Sequence, residues 1–556
     1  MNAKYFILIA FSCILGIFKV KGQVESGDRT IPKFYFKGAI GAGMSMNGEF
    51  TSYQTDGTNN NQNTITNFGN GAVAAISLGY QLNSNIGFEL GYSYLYGSKD
   101  VVVNQQHLMY NGGDLYIDGQ AKIHQIIPSI VISAPTCKLR PYMKVGLNIG
   151  MASFYSQQGS ALINANYTNG AWEDYKILYH GGYTIGTQSA IGCEIPLNSH
   201  KTSLFFEADF NNIIYLPGNR SVYAYTINGA DQFSSLQTSD KELVYKNEVY
   251  PNFHYPSTEP SEFLQVSIPL SGVYLAAGIK IDLGSKTLPG IDPLPDRYFY
   301  TRLQAGYGLV TNADRYKTIL LSRGLTYDDS DYASIVLFSG GEGLNVGAGI
   351  GYMFNSNFGV DIGVNYVNGM TKKYVVIPNT AGLGYDYGSY TGNMVQFVPS
   401  LVIASNLCGL QPYARLGLIF GSGTVTQVED QYFQQYGITS HSVWKYMGGI
   451  SLGYSSVLGI AKPINNKFDI FIEAAFNNIY DVPTTGNLTS ATVNGVDNLN
   501  SVDVQDKSIV YKNSYSNADN YDTSKPKVVD PVKYSFCSAI VSIGARFKFG
   551  MHKNPK

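Results

Sequence analysis

Along Asn83–Gly97, NSNIGFELGYSYLYG, apolar and polar positions alternate with a period of two. Phe88, Leu90, Tyr92, Tyr94 and Tyr96 share one face, and Gly87, Glu89, Gly91 and Ser93 share the other, which is the signature of a β-strand. The same division returns at Asn355–Gly369, NSNFGVDIGVNYVNG, where Val360, Ile362, Val364 and Tyr366 stand opposite Gly359, Asp361, Gly363 and Asn365. The segments begin 355 − 83 = 272 residues apart, and a glycine-flanked carboxylate holds the same place in each. The chain is therefore a duplication, and each copy carries one greasy, aromatic face and one small, polar, charged face.

Extended over the whole sequence, the alternation predicts eight strands per copy, each long enough to cross a membrane at a tilt. In the first copy they fall near 33–46, 70–82, 85–97, 121–134, 139–155, 181–195, 201–215 and 268–284. In the second they fall near 298–310, 342–354, 357–369, 393–405, 410–424, 445–461, 467–480 and 535–550. Short connections such as Asn83–Asn85, Ala134–Leu139 and Pro196–Lys201 alternate with long polar loops. Up-and-down membrane barrels have that asymmetry, with short turns on one side and long loops on the other.

The charged positions recur with the strands. PYMKVGL, Pro141–Leu147, matches PYARLGL, Pro412–Leu418, and puts Lys144 and Arg415 on the glycine-bearing face. LFFEADFNN, Leu204–Asn212, matches IFIEAAFNN, Ile470–Asn478, and does the same for Glu207 and Glu473. Lys37 with Arg302, and Lys280 with Arg546, complete the set, beside the acids Glu89 and Asp361. A buried, unpaired charge is costly, so acids and bases sharing one face are expected to pair: Glu207 with Lys144 and Glu473 with Arg415.

Composition narrows the setting. Charged residues are 14% of the 556, against about 25% in an ordinary soluble protein, while tyrosine (44) and glycine (60) are abundant. A formal net charge of −2 offers no basic field for nucleic acid, and five cysteines are too few for a disulfide scaffold. The N-terminus, with Lys4, an apolar run from Tyr5 to Phe18 and small Gly22, reads as a signal peptide over 1–22. The first barrel repeat is then 23–285, a linker with three prolines 286–296, the second repeat 297–550, and a tail 551–556. No later apolar run approaches the ~20 residues of a membrane-spanning helix.

A soluble barrel or sandwich would turn the aromatic face inward, and three features favour lipid instead. Glycine recurs on the polar face (Gly41, Gly43, Gly146, Gly150, and Gly306, Gly308, Gly417, Gly421), which suits a crowded interior. Tyr94 and Tyr96 sit at a strand end, where an interfacial aromatic girdle would lie. The last strand carries Ser542, Gly544, Phe547 and Phe549, which resembles the signal read by the barrel assembly machinery, although seven residues, Gly550–Lys556, follow it. With these residues both copies resemble the small eight-stranded barrels of the outer-membrane protein A family. The Tyr- and Asn-rich composition also resembles barrels from Bacteroidetes. The resemblance implies a lumen filled by the ionic cluster Lys37, Glu89, Lys144, Glu207, Lys280, Arg302, Asp361, Arg415, Glu473 and Arg546, contact with outer-membrane lipid, and insertion guided by Gly544, Phe547 and Phe549.

Catalytic and cofactor patterns are lacking. The seven histidines do not recur between copies, no Ser/His/acid arrangement stands out, and Gly38–Gly43 and Gly347–Gly351 lie within strands rather than before a helix. Cys137 and Cys408 occupy the same short turn in the two copies, and Cys193 falls near the rim of Cys137, so a bridge within the first copy is geometrically open, with unpaired thiols the favoured expectation. The last long loop is the best retained: Thr226–Asn247 matches Thr492–Asn513, with Asn228–Gly229 and Asn494–Gly495 predicting hairpin ribbons that project beyond the membrane.

The expectation is an all-β protein of two tandem eight-stranded transmembrane barrels, without cofactor, metal or enzymatic activity, binding an extracellular surface ligand through its loops. Two other readings stand beside it. Both copies could merge into one sixteen-stranded porin for small solutes, or the barrels could modify lipid.

Overall fold

The computed structural model describes residues 34–45, 49–55, 60–82, 85–105, 115–134, 140–162, 171–197, 201–249, 256–284, 297–320, 332–376, 385–405, 407, 409–433 and 436–552. The predicted signal peptide, the linker, Cys137 and Cys408 lie outside these residues. The first barrel comprises β1 (Phe34–Ser45), β2 (Gly71–Gln81), β3 (Ile86–Gly97), β4 (Leu115–Ser133), β5 (Arg140–Leu162), β6 (Tyr183–Pro196), β7 (Thr202–Leu216) and β8 (Gly272–Leu283). The second comprises β9 (Arg297–Val310), β10 (Gly343–Met353), β11 (Phe358–Gly369), β12 (Tyr385–Ala404), β13 (Gln411–Phe433), β14 (Ser451–Asn465), β15 (Phe468–Asp481) and β16 (Ser538–His552).

Each set closes on itself. Strand β1 pairs antiparallel with β8, from Phe34 opposite Leu283 to Ser45 opposite Gly272. Strand β9 pairs likewise with β16, with Arg302 opposite Arg546. Both edges of each copy are thus consumed within it, and among the described residues β8 and β9 share no ladder. The sixteen-stranded alternative is overturned by this closure: a merged barrel needs β8 hydrogen-bonded to β9, and those donors and acceptors are already taken.

The walls follow the alternation. Ile40, Leu90 and Leu275 on the first barrel, and Leu303, Ile472 and Ile543 on the second, are exposed on the outside. Lys37, Glu89, Asp361 and Glu473 are buried inside. Apolar surface of this extent is stable against lipid rather than water, and the chain is a transmembrane outer-membrane β-barrel protein.

Two features depart from the predicted strand limits. Strands β4, β5, β12 and β13 run for 19, 23, 20 and 23 residues, about twice a membrane crossing. Their outer halves rise above the span and carry further strands, Ala171–His180 on β5 and Ile438–Met447 on β13. The predicted strand 445–461 is correspondingly broken. Gly448 and Gly449 adopt φ of 92° and 82°, turning the chain between Ile438–Met447 and β14, and Gly181 and Gly182 do the same at 68° and 69° before β6. Consecutive left-handed residues are accessible to glycine and strained for other residues.

Candidate functional site

Inside both barrels one structural unit occurs four times. A tyrosine on one strand faces a glycine on the next, which in turn faces a carboxylate on the third. In the first barrel the register aligns Tyr35, Gly79 and Glu89, and again Tyr142, Gly192 and Glu207. In the second it aligns Tyr300, Gly351 and Asp361, and Tyr413, Gly459 and Glu473. The ring lies flat over the glycine: a Cβ built there would meet a tyrosine Cζ at 1.9 Å for Gly79, 2.2 Å for Gly192, 2.2 Å for Gly351 and 2.4 Å for Gly459. Only hydrogen leaves room for the ring to cross. Each hydroxyl then donates to the acid beyond, at 3.1 Å for Tyr35, 2.7 Å for Tyr142, 2.9 Å for Tyr300 and 2.5 Å for Tyr413.

Two residues after each of these tyrosines stands a base, in YFK, YMK, YTR and YAR, so tyrosine and base share the inward face. Lys144 Nζ lies 2.5 Å from Glu207, 3.6 Å from Glu89 and 3.6 Å from Asp209, and Lys37 lies 3.2 Å from Glu89 and 3.7 Å from Glu194. Lys280 pairs with Glu194 at 2.9 Å. In the second barrel Arg302 grips Asp361 with Nη2 at 2.8 Å and Nε at 3.0 Å, and Arg415 reaches Glu473 at 2.6 Å. Arg546 meets Asp469 at 2.5 Å, with Lys548 at 2.8 Å from the same carboxylate. All ten predicted ionic residues therefore point into a lumen. The four tyrosines, Glu194, Asp209, Asp469 and Lys548 were not singled out from sequence, and the repeated Tyr-x-Lys/Arg spacing was the signal for the tyrosines.

The lysine-bearing lumen retains a cavity of about 50 Å³ beside Lys37, Glu89, Lys144 and Glu207, whereas the arginine-bearing one retains about 10 Å³ beside Arg302, Arg415, Glu473 and Arg546. Guanidinium groups fill what ammonium groups leave open. The first cavity suits a few waters and the second barely one.

Toward the long loops an apolar layer follows the ionic one. In the first barrel Leu95, Ile123, Phe154, Ile213 and Tyr274 meet Phe68, Ile268 and Leu270 from the loop bases. In the second, Val367, Met394, Ile419, Val425 and Ile479 meet Phe338, Tyr534 and Phe536. Water moving along either axis would have to cross ion pairs and then this layer.

Of the proposed assembly residues, Phe547 and Phe549 face outward and exposed, while Gly544 faces inward, where Phe471 leaves no room for a side chain. Among the described residues Cys193 and Cys537 form no disulfide.

Above the span the retained loops take the same form twice. Asn228 and Gly229 sit at φ 50° and 79°, and Asn494 and Gly495 at 48° and 76°, as two-residue hairpin turns require. The ribbons do not project freely. Asn219–Ile227 pairs along Ala171–His180, and Thr485–Val493 along Ile438–Met447. Each turn asparagine accepts a backbone N–H from that neighbour, Trp172 at 2.8 Å and Thr439 at 2.9 Å. Stacked rings, Tyr175 on Tyr225 at 4.4 Å and Trp444 near Tyr446 at 6.2 Å, stiffen the two sheets. On the second sheet burial, then the charge of Asp386, raises the Glu429 carboxyl. At the outer end of β15, Asp481 accepts a hydrogen bond from the Ser451 hydroxyl at 3.1 Å.

No family model and no curated protein matches the sequence. Among solved structures, the chain is similar to neisserial surface protein A at 12% identity and TM-score 0.21, over 45% of this chain and 97% of that one. It is similar to the Ralstonia pickettii toluene transporter TbuX at 9% identity and TM-score 0.18, over 93% and 90%. It is also similar to the Escherichia coli outer-membrane protease OmpT at 7% identity and TM-score 0.15, over 94% and 100%. Likeness at this level assigns no activity to the chain.

Proposed function

We propose that the protein is a non-conducting, non-enzymatic surface protein of the Gram-negative outer membrane that binds an extracellular ligand through the sheets above its barrels. One observation carries this reading. The strands do not end at the membrane but continue into ordered sheet beyond the span, which this reading takes as the extracellular side, while the lumens beneath hold ion pairs and apolar side chains. Transport would need the lumen, whereas the sheets offer a large surface tied to a rigid base. In this reading the apolar belt meets lipid, and the last strand with Gly544, Phe547 and Phe549 is what the barrel assembly machinery engages.

The test is to replace the ribbons of both copies, 226–247 and 492–513, with short Gly-Ser connections. Intact and shortened proteins in nanodiscs are then compared on glycan and extracellular-protein arrays. The intact chain is expected to bind a defined class of ligand, and the shortened chain to lose at least tenfold in affinity. Equal binding by both would move the ligand site off the ribbons. Silence from the intact chain across both arrays would count against the surface-binding role.

A further inference from the structure

Most wall positions of each barrel are apolar, and buried polar ones gather along one seam. Thr187, Ser189 and Asn212 on the first barrel, and Tyr454, Ser456 and Asn478 on the second, hold wall positions that alternate with lumen-facing neighbours, yet all are buried. The other barrel covers this seam. The ring of Phe210 lies 5.3 Å from that of Tyr454, and Asn312 Nδ2 donates to Asn212 Oδ1 at 3.1 Å. Toward the short turns, Ile132 and Met143 of the first barrel share one apolar cluster with Ile403 and Ala414 of the second.

The covered residues are equivalents in the duplication. The shift of 412 − 141 = 271 that brings Pro141–Leu147 onto Pro412–Leu418 also carries Ile132 to Ile403 and Met143 to Ala414. The loops repeat the relation. Glu248 and Val249 of the first copy pair with Ser334 and Ala333 of the second. Ser514 and Tyr515 of the second pair with Gln62 and Asn61 of the first. Each last loop therefore adds a strand to the other copy's first loop, reciprocally. A surface that meets its own equivalent is isologous, the geometry of a two-fold dimer. In lipid, association rests on close approach of small side chains and on hydrogen bonds rather than on hydrophobic drive, and Ser189, Ala414 and Ser456 suit that role.

We infer that this seam is a self-complementary association surface whose partner is a second barrel of the same kind, and that the chain is a dimer fused at Ser285–Asp296. The halves hold each other without the linker. The test places a specific protease site within 286–296 of the full-length chain and cuts the folded protein in detergent. Native mass spectrometry is expected to show the halves together at the mass of the whole chain. Ser189→Trp with Ser456→Trp is expected to raise the separated fraction at least tenfold, each half keeping its strand signal in circular dichroism. Independently, Asn212→Cys with Asn312→Cys is expected to give, after cutting, a full-mass band on an unreduced denaturing gel that is absent from the unsubstituted chain. Separation of the unsubstituted halves on cutting, with strand signal intact, would overturn the inference, as would failure of the cysteine pair to cross-link.

Discussion

Glu473→Ala is expected to lower the unfolding free energy of the second barrel by about 3–5 kcal/mol. Glu473 is 2% exposed and receives both the Tyr413 hydroxyl and Arg415 Nη2. Removing the carboxylate leaves Arg415, itself 5% exposed, without its ion-pair partner, with Arg302 and Arg546 lining the same cavity and only the charge of Asp361, already held by Arg302, to offset it. Water cannot rescue it cheaply, because that cavity is only about 10 Å³ before the deletion. Glu473→Gln keeps an acceptor for Tyr413 and should cost less than the alanine. The equivalent Glu207→Ala should cost less than Glu473→Ala, since the cavity of about 50 Å³ around Lys144 admits water. The readout is the urea midpoint of the detergent-folded protein, followed by fluorescence of the barrel carrying the change. A midpoint unmoved by Glu473→Ala would mean that the group is not paired in a closed lumen.

Gly351→Ala is the second large effect, and it comes from one methyl group. Its Cβ would lie 2.2 Å from Tyr300 Cζ, so the ring must leave its place and the hydroxyl must release Asp361. Overpacking of about 1–3 kcal/mol then adds to about 1–3 kcal/mol for the Tyr300 hydroxyl left without its acceptor, while Arg302 still holds Asp361. Gly38→Ala is the control, because a Cβ there approaches nothing closer than 4.0 Å. If the clash with Tyr300 is the cause, adding Tyr300→Ala to Gly351→Ala should cost much less than the two single effects together. Strict additivity would show that glycine at 351 serves the backbone and not the ring.

How far this site was legible follows from what alternation encodes. A period of two assigns each side chain to the wall or the lumen, and this placed the ten ionic residues on one face. It does not say which inward residues touch. Glu194 and Asp469 escaped notice because their equivalents in the other copy are Ala461 and Ser203, so the duplication does not mark them. The lumen tyrosines were hidden by the abundance of tyrosine on the lipid face, where the same residue marks a girdle. Strand ends were legible where lipid begins and ends, since that boundary changes the residues. Above the membrane both faces of a strand can be polar, so the long extensions of β5 and β13 left no alternating trace. The seam between the barrels was written in the sequence, as hydroxyl side chains at wall positions of β6 and β14, but it is readable only once the wall is known to face lipid.

The central claim is that each copy encloses its own filled lumen, and a planar bilayer tests it most directly. The purified full-length chain is predicted to give no steady conductance, because side chains fill an eight-stranded lumen while sixteen strands leave an aqueous channel. Large, stable, ohmic channels from the intact chain would contradict the account.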